Sequence, residues 1–222
     1  MDIALFTEVG LDYISRWVHF LAGITWIGLL YYFNFVQTEY FKEAEDAHKS
    51  GAIQKLVPRA LWWFRWGAML TFLTGLLMLW TRGQGVTLDI TVGSTLGTLM
   101  FLNVWLIIWP KQQVVIASAT QVAGGGEADP AAAGSLAKAG LASRTNTLFS
   151  IPLLFFMGSS AHLPNGPVTA AGMVELGLVL LIILALEGNG IFGKQGIMAS
   201  VRGVIGCGIG LTVVLYGIIV LL

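Results

Sequence analysis

Six runs of this chain, at about 13–37, 60–80, 90–109, 145–163, 170–188 and 201–222, are long, apolar and almost without charge. Each approaches the roughly 20 residues that an α-helix needs to cross a hydrocarbon core. The runs are continuous rather than alternating, so they do not suit the strands of a membrane β-barrel, and an isolated apolar segment can satisfy its backbone in lipid only as a helix. The expected fold is therefore all-α: a polytopic transmembrane helix bundle of about six spans, forming a single transmembrane domain over 1–222. Composition agrees, because charged residues make up 11% of the chain and apolar types 56%. Ordinary globular chains carry about 25% charged residues, so too little polar surface is present here to solvate a free-standing fold.

The N-terminus does not read as a cleavable signal. Acidic Asp2, Glu8 and Asp12 stand where a basic segment should be, and no small-residue cleavage site follows the apolar stretch. Basic residues set the expected orientation. Lys42, Lys49, Lys55, Arg59, Arg65, Lys111, Lys138, Arg144, Lys194 and Arg202 belong to the connections after spans one, three and five or to their flanks, whereas Arg16 and Arg82 belong to the other side. That asymmetry puts the connections 39–59 and 111–144 in the cytoplasm and both termini outside. The first connection reads as a charged helical hairpin. The second opens with a turn at GGGEADP and continues as an Ala-rich helix leading into span four.

Several chemistries are excluded. Twelve Lys+Arg balance twelve Asp+Glu with no basic block, which argues against nucleic acid as a partner. A lone cysteine, Cys207, rules out a disulfide scaffold, a CxxCH haem attachment, an Fe–S ligand set and a cysteine zinc site. No P-loop, HExxH, nucleophile elbow or pair of broken transporter helices occurs.

An ionisable side chain inside a bilayer is a functional candidate because burying it is costly. His19 lies about two turns into span one, and His162 ends span four; with these spans antiparallel, both fall in the outer half of the membrane. His48 lies in the charged connection and reads as a solvated side chain. Gly23 follows His19 by one turn and Gly158 precedes His162 by one turn, so each glycine shares its histidine's face one turn deeper. A missing side chain below an imidazole leaves room for a flat ligand, as a haem b standing between helices needs, with histidine nitrogen as the axial iron ligand. Trp17, Phe20, Trp26, Phe155, Phe156 and Met157 are candidates for an apolar wall, and Arg16 for meeting a propionate. The same residues also have a structural reading: glycine lets membrane helices approach closely, aromatic residues gather at the interfaces, and a histidine near a helix end can bond a neighbour. Arg65, among tryptophans, reads as an interface anchor, Asn34 and Asn103 as interhelical hydrogen-bond donors, and Glu175 and Glu187 as residues flanking span five, the latter with a cation or partner site as its functional alternative.

Four stretches carry a family resemblance. WVHFLAGITWIGLLYYFNFVQ at 17–37, ALWWFRWGAMLTFLTGL at 60–76, WLIIWPKQQ at 105–113 and ASRTNTLFSIPLLFFMGSSAH at 142–162 resemble the N-terminal membrane domain of bacterial cytochrome c-linked urate oxidases (urate hydroxylases). The His19, Gly23, Trp26, Gly28 pattern is also similar to small haem-dependent membrane protoporphyrinogen oxidases. The resemblance implies a multi-pass protein of the bacterial inner membrane. In that family the membrane domain precedes a periplasmic cytochrome c domain, and a full member has about eight spans. This chain shows six and carries no CxxCH up to Leu222, so the expected electron partner is a separate cytochrome c or a quinone. Two functions follow: a membrane oxidoreductase binding haem b through His19 and His162, or a non-catalytic subunit of a larger respiratory or photosynthetic membrane complex.

Overall fold

A computed structural model describes residues 4–83, 85–169 and 172–222. Asp2, one of the acidic residues weighed against a signal, and Ala170, where the fifth span is expected to begin, lie outside the described residues. The described residues form helices α1 (Glu8–Tyr31), α2 (Thr38–Glu43), α3 (Asp46–Lys55), α4 (Val57–Arg82), α5 (Leu88–Leu102), α6 (Trp109–Ala123), α7 (Ala132–His162), α8 (Met173–Phe192) and α9 (Val201–Leu221). Extended pairing among them is limited to an isolated bridge between Thr87 and Pro167. The all-α expectation holds.

Three helices open on hydroxyl caps. The side chains of Thr7, Thr87 and Ser200 accept from the amides of Gly10, Ile90 and Gly203 and so satisfy a donor left free at the start of α1, α5 and α9. α1 runs into α2 through a π-helical segment, Tyr32–Gln37, and α5 runs into α6 through another, Asn103–Ile108. The second explains why Pro110, where the third apolar run was expected to end, does not stop the helix. A proline removes one backbone donor and crowds the carbonyl a turn earlier, and the wider turn just before it relieves both demands.

By length and apolarity, four helices qualify as membrane-crossing: Glu8–Glu43, Leu88–Ala123, Met173–Phe192 and Val201–Leu221. α4 and α7, which correspond to the second and fourth expected spans, are 26 and 31 residues long but are not among the four. Packing accounts for α7. It lies against α1, α5, α6, α8 and α9 and buries Arg144, Thr145, Asn146, Thr147 and Ser150 along one stretch. A helix enclosed by other helices needs no apolar face towards lipid, so its polar side chains can turn to its neighbours.

α4 lies along α1. Gly67 makes the approach possible, since a Cβ there would stand 3.2 Å from both the Ala22 carbonyl oxygen and the Trp26 amide nitrogen. Two residues before Gly67, α4 carries Arg65, whose guanidinium carbon stands 5.4, 4.9 and 3.8 Å from the ring centres of Trp66, Trp105 and Trp109. These are cation–π distances, and they hold the charge among indoles supplied by two helices. The core between the helices is apolar and centred on Trp26, Leu30, Phe64, Leu96, Met100, Phe149 and Phe156.

Candidate functional site

His19 faces α4. Its Nδ1 lies 3.0 Å from the Thr74 hydroxyl, and a Cβ at Gly75 would touch its Cε1 at 3.4 Å, so the imidazole rests against α4 where that helix has no side chain. The Thr74 hydroxyl stands 2.6 Å from the Leu70 carbonyl oxygen. A threonine hydroxyl has one hydrogen, and a bond that short claims it. The Thr74 oxygen is then left to accept from Nδ1–H. The geometry therefore favours the tautomer with hydrogen on Nδ1 and a lone pair on Nε2. Metal-binding histidines are oriented by a second partner in just this way.

His162 is the last residue of α7 and is exposed. Two bonds relate α7 to α1 and its π-helical continuation: Tyr31 Oη to Ser150 Oγ at 2.9 Å and Asn34 Nδ2 to Ser143 Oγ at 2.8 Å. Numbers rise along one helix as they fall along the other, so the two run antiparallel. His19 precedes Tyr31 by twelve residues and His162 follows Ser150 by twelve. At about 1.5 Å per residue both histidines lie about 18 Å from the Tyr31–Ser150 bond, towards the same end of the bundle.

The residues around them are disposed unevenly. At both Gly23 and Gly158 an added Cβ would meet nothing within 4 Å, so each glycine faces open space. Arg16 pairs with Asp12 of its own helix (Nε to Oδ2, 2.7 Å), and the Thr81 hydroxyl donates to the same carboxylate. Trp26 and Phe156 belong to the core, and Met157 lies against Gly93. Phe155 stacks edge-on with Tyr216, and Trp17 and Phe20 are exposed. His48 is exposed in α3. Among the described residues, no three His, Cys, Asp or Glu side chains gather as a metal-binding group.

A second polar centre lies deeper, between α5, α7 and α8. Asn146 Nδ2 donates to the Met100 carbonyl (2.9 Å), Asn103 Nδ2 donates to Asn146 Oδ1 (2.9 Å), and Asn103 Nδ2 also lies 3.1 Å from Glu187 Oε2. Asn103 thus has the interhelical donor role expected of it, as does Asn34, which bonds Ser143. A third centre ties the ends of α5 and α7 together: fully buried Asp89 accepts from Ser159 Oγ (2.7 Å), the Asn165 amide (2.8 Å) and Asn165 Nδ2 (2.8 Å).

Residues 83–195 match the family described as urate oxidase N-terminal. The chain belongs to the urate oxidase N-terminal family. The matched region takes in α5 to α8 and contains two of the four stretches that carry the resemblance, 105–113 and 142–162. The other two, 17–37 and 60–76, precede it. Of the candidate residues of this family member, His162 and Gly158 lie inside the match together with Asp89, Asn103, Asn146 and Glu187, while His19, Gly23 and Arg16 lie before it. No curated protein and no solved structure matches the chain.

Of these three centres, the one at Asp89 was not singled out in the sequence, and the deeper one was touched only through Asn103 and Glu187, taken separately. Asp89 stands one residue before an apolar run, and its partners are 70 and 76 positions away. The signal for the deeper centre was visible as SRTNT, a polar stretch at 143–147 entering a run that is otherwise apolar.

Proposed function

We propose that this protein is an integral membrane oxidoreductase of the urate oxidase N-terminal family, in which His19 and His162 would hold haem b. Haem supplies the one-electron chemistry that no side chain here provides alone. The exchange partner is a periplasmic cytochrome c or a quinone. The chain crosses the bacterial inner membrane six times, α4 and α7 completing the four apolar spans, and both termini face the periplasm. The observation that carries the ligand assignment is the Thr74 bond, which orients the His19 ring and leaves its Nε2 lone pair free. The open faces at Gly23 and Gly158 and the common end of the bundle for the two histidines support it. So does the charge asymmetry, with Arg16 and Arg82 at the histidine end and ten basic residues assigned to the other side.

Reduced-minus-oxidised spectra of protein expressed with haem supplied test the reading. A b-type α-band is expected, lost in His19→Ala and kept in His48→Ala. Absence of the band in the wild-type protein rejects the assignment and leaves the non-catalytic subunit of a membrane complex as the reading. His162→Ala is expected to abolish the spectrum or turn it high-spin, and an unchanged low-spin spectrum removes His162 as a ligand. Thr74→Val keeps shape and removes the hydroxyl. Loss of such an orienting partner typically weakens metal binding about 10–100-fold, and haem retention during dilution is expected to fall on that scale.

A further inference from the structure

The buried centre at Glu187 has no role in the haem reading, and its hydrogen bonds constrain its chemistry. A backbone carbonyl can only accept, so the Met100 oxygen identifies the Asn146 group beside it as the amide nitrogen. Asn146 Oδ1 then faces Asn103, which must present its own nitrogen, and that nitrogen also faces Glu187 Oε2. The direction of every bond follows from one unambiguous acceptor. Glu187 receives a neutral amide donor at 3.1 Å while only 7% exposed, beside Asn103 at 2% and Asn146 at 0%.

Its depth adds to the cost of a charge. Asn103 lies fourteen residues beyond Asp89 on the α5 side, and Asn146 lies thirteen residues before Ser159 on α7. At about 1.5 Å per residue, both helices put the centre about 20 Å below the Asp89–Ser159 bond, well inside a hydrocarbon layer about 30 Å thick. No cation offsets it. Among the described residues the ion pairs are Arg16–Asp12 and Lys42–Glu39. The ionisable groups on the helices packed against α8 are Lys138, Arg144 and His162 on α7, Asp89 on α5, and Arg202, Cys207 and Tyr216 on α9. Arg144 forms no ion pair with Glu187, Asp89 and His162 lie at the far end, and Lys138 and Arg202 are exposed. An isolated carboxylate in such surroundings takes up a proton rather than bear the desolvation cost.

We infer that Glu187 is an intramembrane proton-binding site: it sits in the bundle as the neutral acid, framed by Asn103 and Asn146, and exchanges its proton with water at the nearer end of α8. Phe192, the last residue of α8, is five residues on, about 7.5 Å along the helix. Between them, Asn189 Nδ2 bonds the Lys194 carbonyl beyond the helix end. The exchange balances simply, since carboxylate and a proton become the acid with no electron moved. The inference rests on the chain crossing the membrane and not on haem.

Infrared spectroscopy of the full-length protein in lipid nanodiscs tests it. The wild-type protein should show the carbonyl stretch of a protonated carboxylic acid at neutral pH. That band should shift down in D2O, and Glu187→Gln should lack it. A wild-type spectrum without the band, a band that stays in Glu187→Gln, or a band that D2O never shifts would each overturn the proposal. Glutamine matches the neutral acid in shape and keeps an acceptor for Asn103, so the variant should unfold within a degree or two of the wild-type protein. If it fails to fold, the wild-type protein alone decides the matter through labelling with dicyclohexylcarbodiimide, an apolar reagent that adds to protonated carboxyls. Mass spectrometry should find the adduct on Glu187, and an unmodified Glu187 under conditions that denaturation makes fully reactive rejects the site.

Discussion

Asp89→Asn is expected to lower the stability of the protein by about 3 kcal/mol, although the substitution changes one atom and leaves the shape almost unaltered. Asp89 is fully buried, and its two oxygens accept three bonds: Oδ1 from Ser159 Oγ and Asn165 Nδ2, and Oδ2 from the Asn165 amide. Asparagine offers a single acceptor oxygen. If that oxygen takes the Oδ1 position, the new NH2 group faces the backbone N–H of Asn165. Turned the other way, it faces the Asn165 side-chain amide. Either orientation leaves a buried donor unpaired, and the surviving bonds lose the strength that an ionised acceptor lends them; one such donor costs about 1–3 kcal/mol and a charged hydrogen bond contributes about 1.5–3 kcal/mol. Thermal unfolding followed by tryptophan fluorescence measures the effect. Asp12→Asn is the control, because its pairing with Arg16 is at the surface and surface ion pairs contribute little. Equal midpoints for the two variants would show that Asp89 does not secure the join between α5, α7 and Asn165.

Asp89 also illustrates what could be read in the sequence and what could not. Long apolar runs announce helices because the backbone in lipid has no other way to satisfy itself, and the helical class followed from them, while the family was carried by the resemblance of the stretches at 17–37, 60–76, 105–113 and 142–162. Asn34 and Asn103 could be assigned as donors because an amide inside a span needs a partner, whereas Arg16, read as meeting a propionate, is paired with Asp12 one helical turn away. The identity of a partner was not legible. Thr74 is 55 positions from His19, Asn103 is 84 from Glu187, and Ser159 is 70 from Asp89, so no helical period connects them. Glu187 read as a flanking residue because its place near the end of an apolar run suggests access to water, which packing against α7 removes. α7 itself shows the limit of composition. Its polar stretch lowers its apolarity because it is enclosed by protein, so an apolarity criterion alone passes over the most enclosed helix of the bundle.

The close approach of α8 to α7 beside Glu187 makes Gly190 a position where a small change should do much harm. A Cβ there would stand 2.7 Å from Thr145 Oγ1, 2.8 Å from its Cγ2 and 3.0 Å from its Cβ. Whether such crowding is tolerated depends on whether the neighbour can move. Thr145 is fully buried, branched at Cβ, and bonded through its hydroxyl to the Leu141 carbonyl at 3.1 Å. Its rotamer is therefore held both by the helix and by that bond, and α8 must shift instead. Gly190→Ala should cost about 1–3 kcal/mol, the usual range for overpacking, and Gly190→Val more. The shift should also stretch the Asn103–Glu187 contact, which is already 3.1 Å. Gly177, on the same helix, has nothing within 4 Å of an added Cβ, so Gly177→Ala should be neutral or slightly stabilising through its better helix propensity. Thr145→Ala removes two of the three crowding atoms. Combined with Gly190→Ala, it should recover most of the lost stability, giving a coupling of about 1 kcal/mol or more in a double-mutant cycle, as expected for residues in direct contact. Additive losses would instead mean that α8 and α7 do not meet at these two residues, and the enclosure of Glu187 would lose its structural basis.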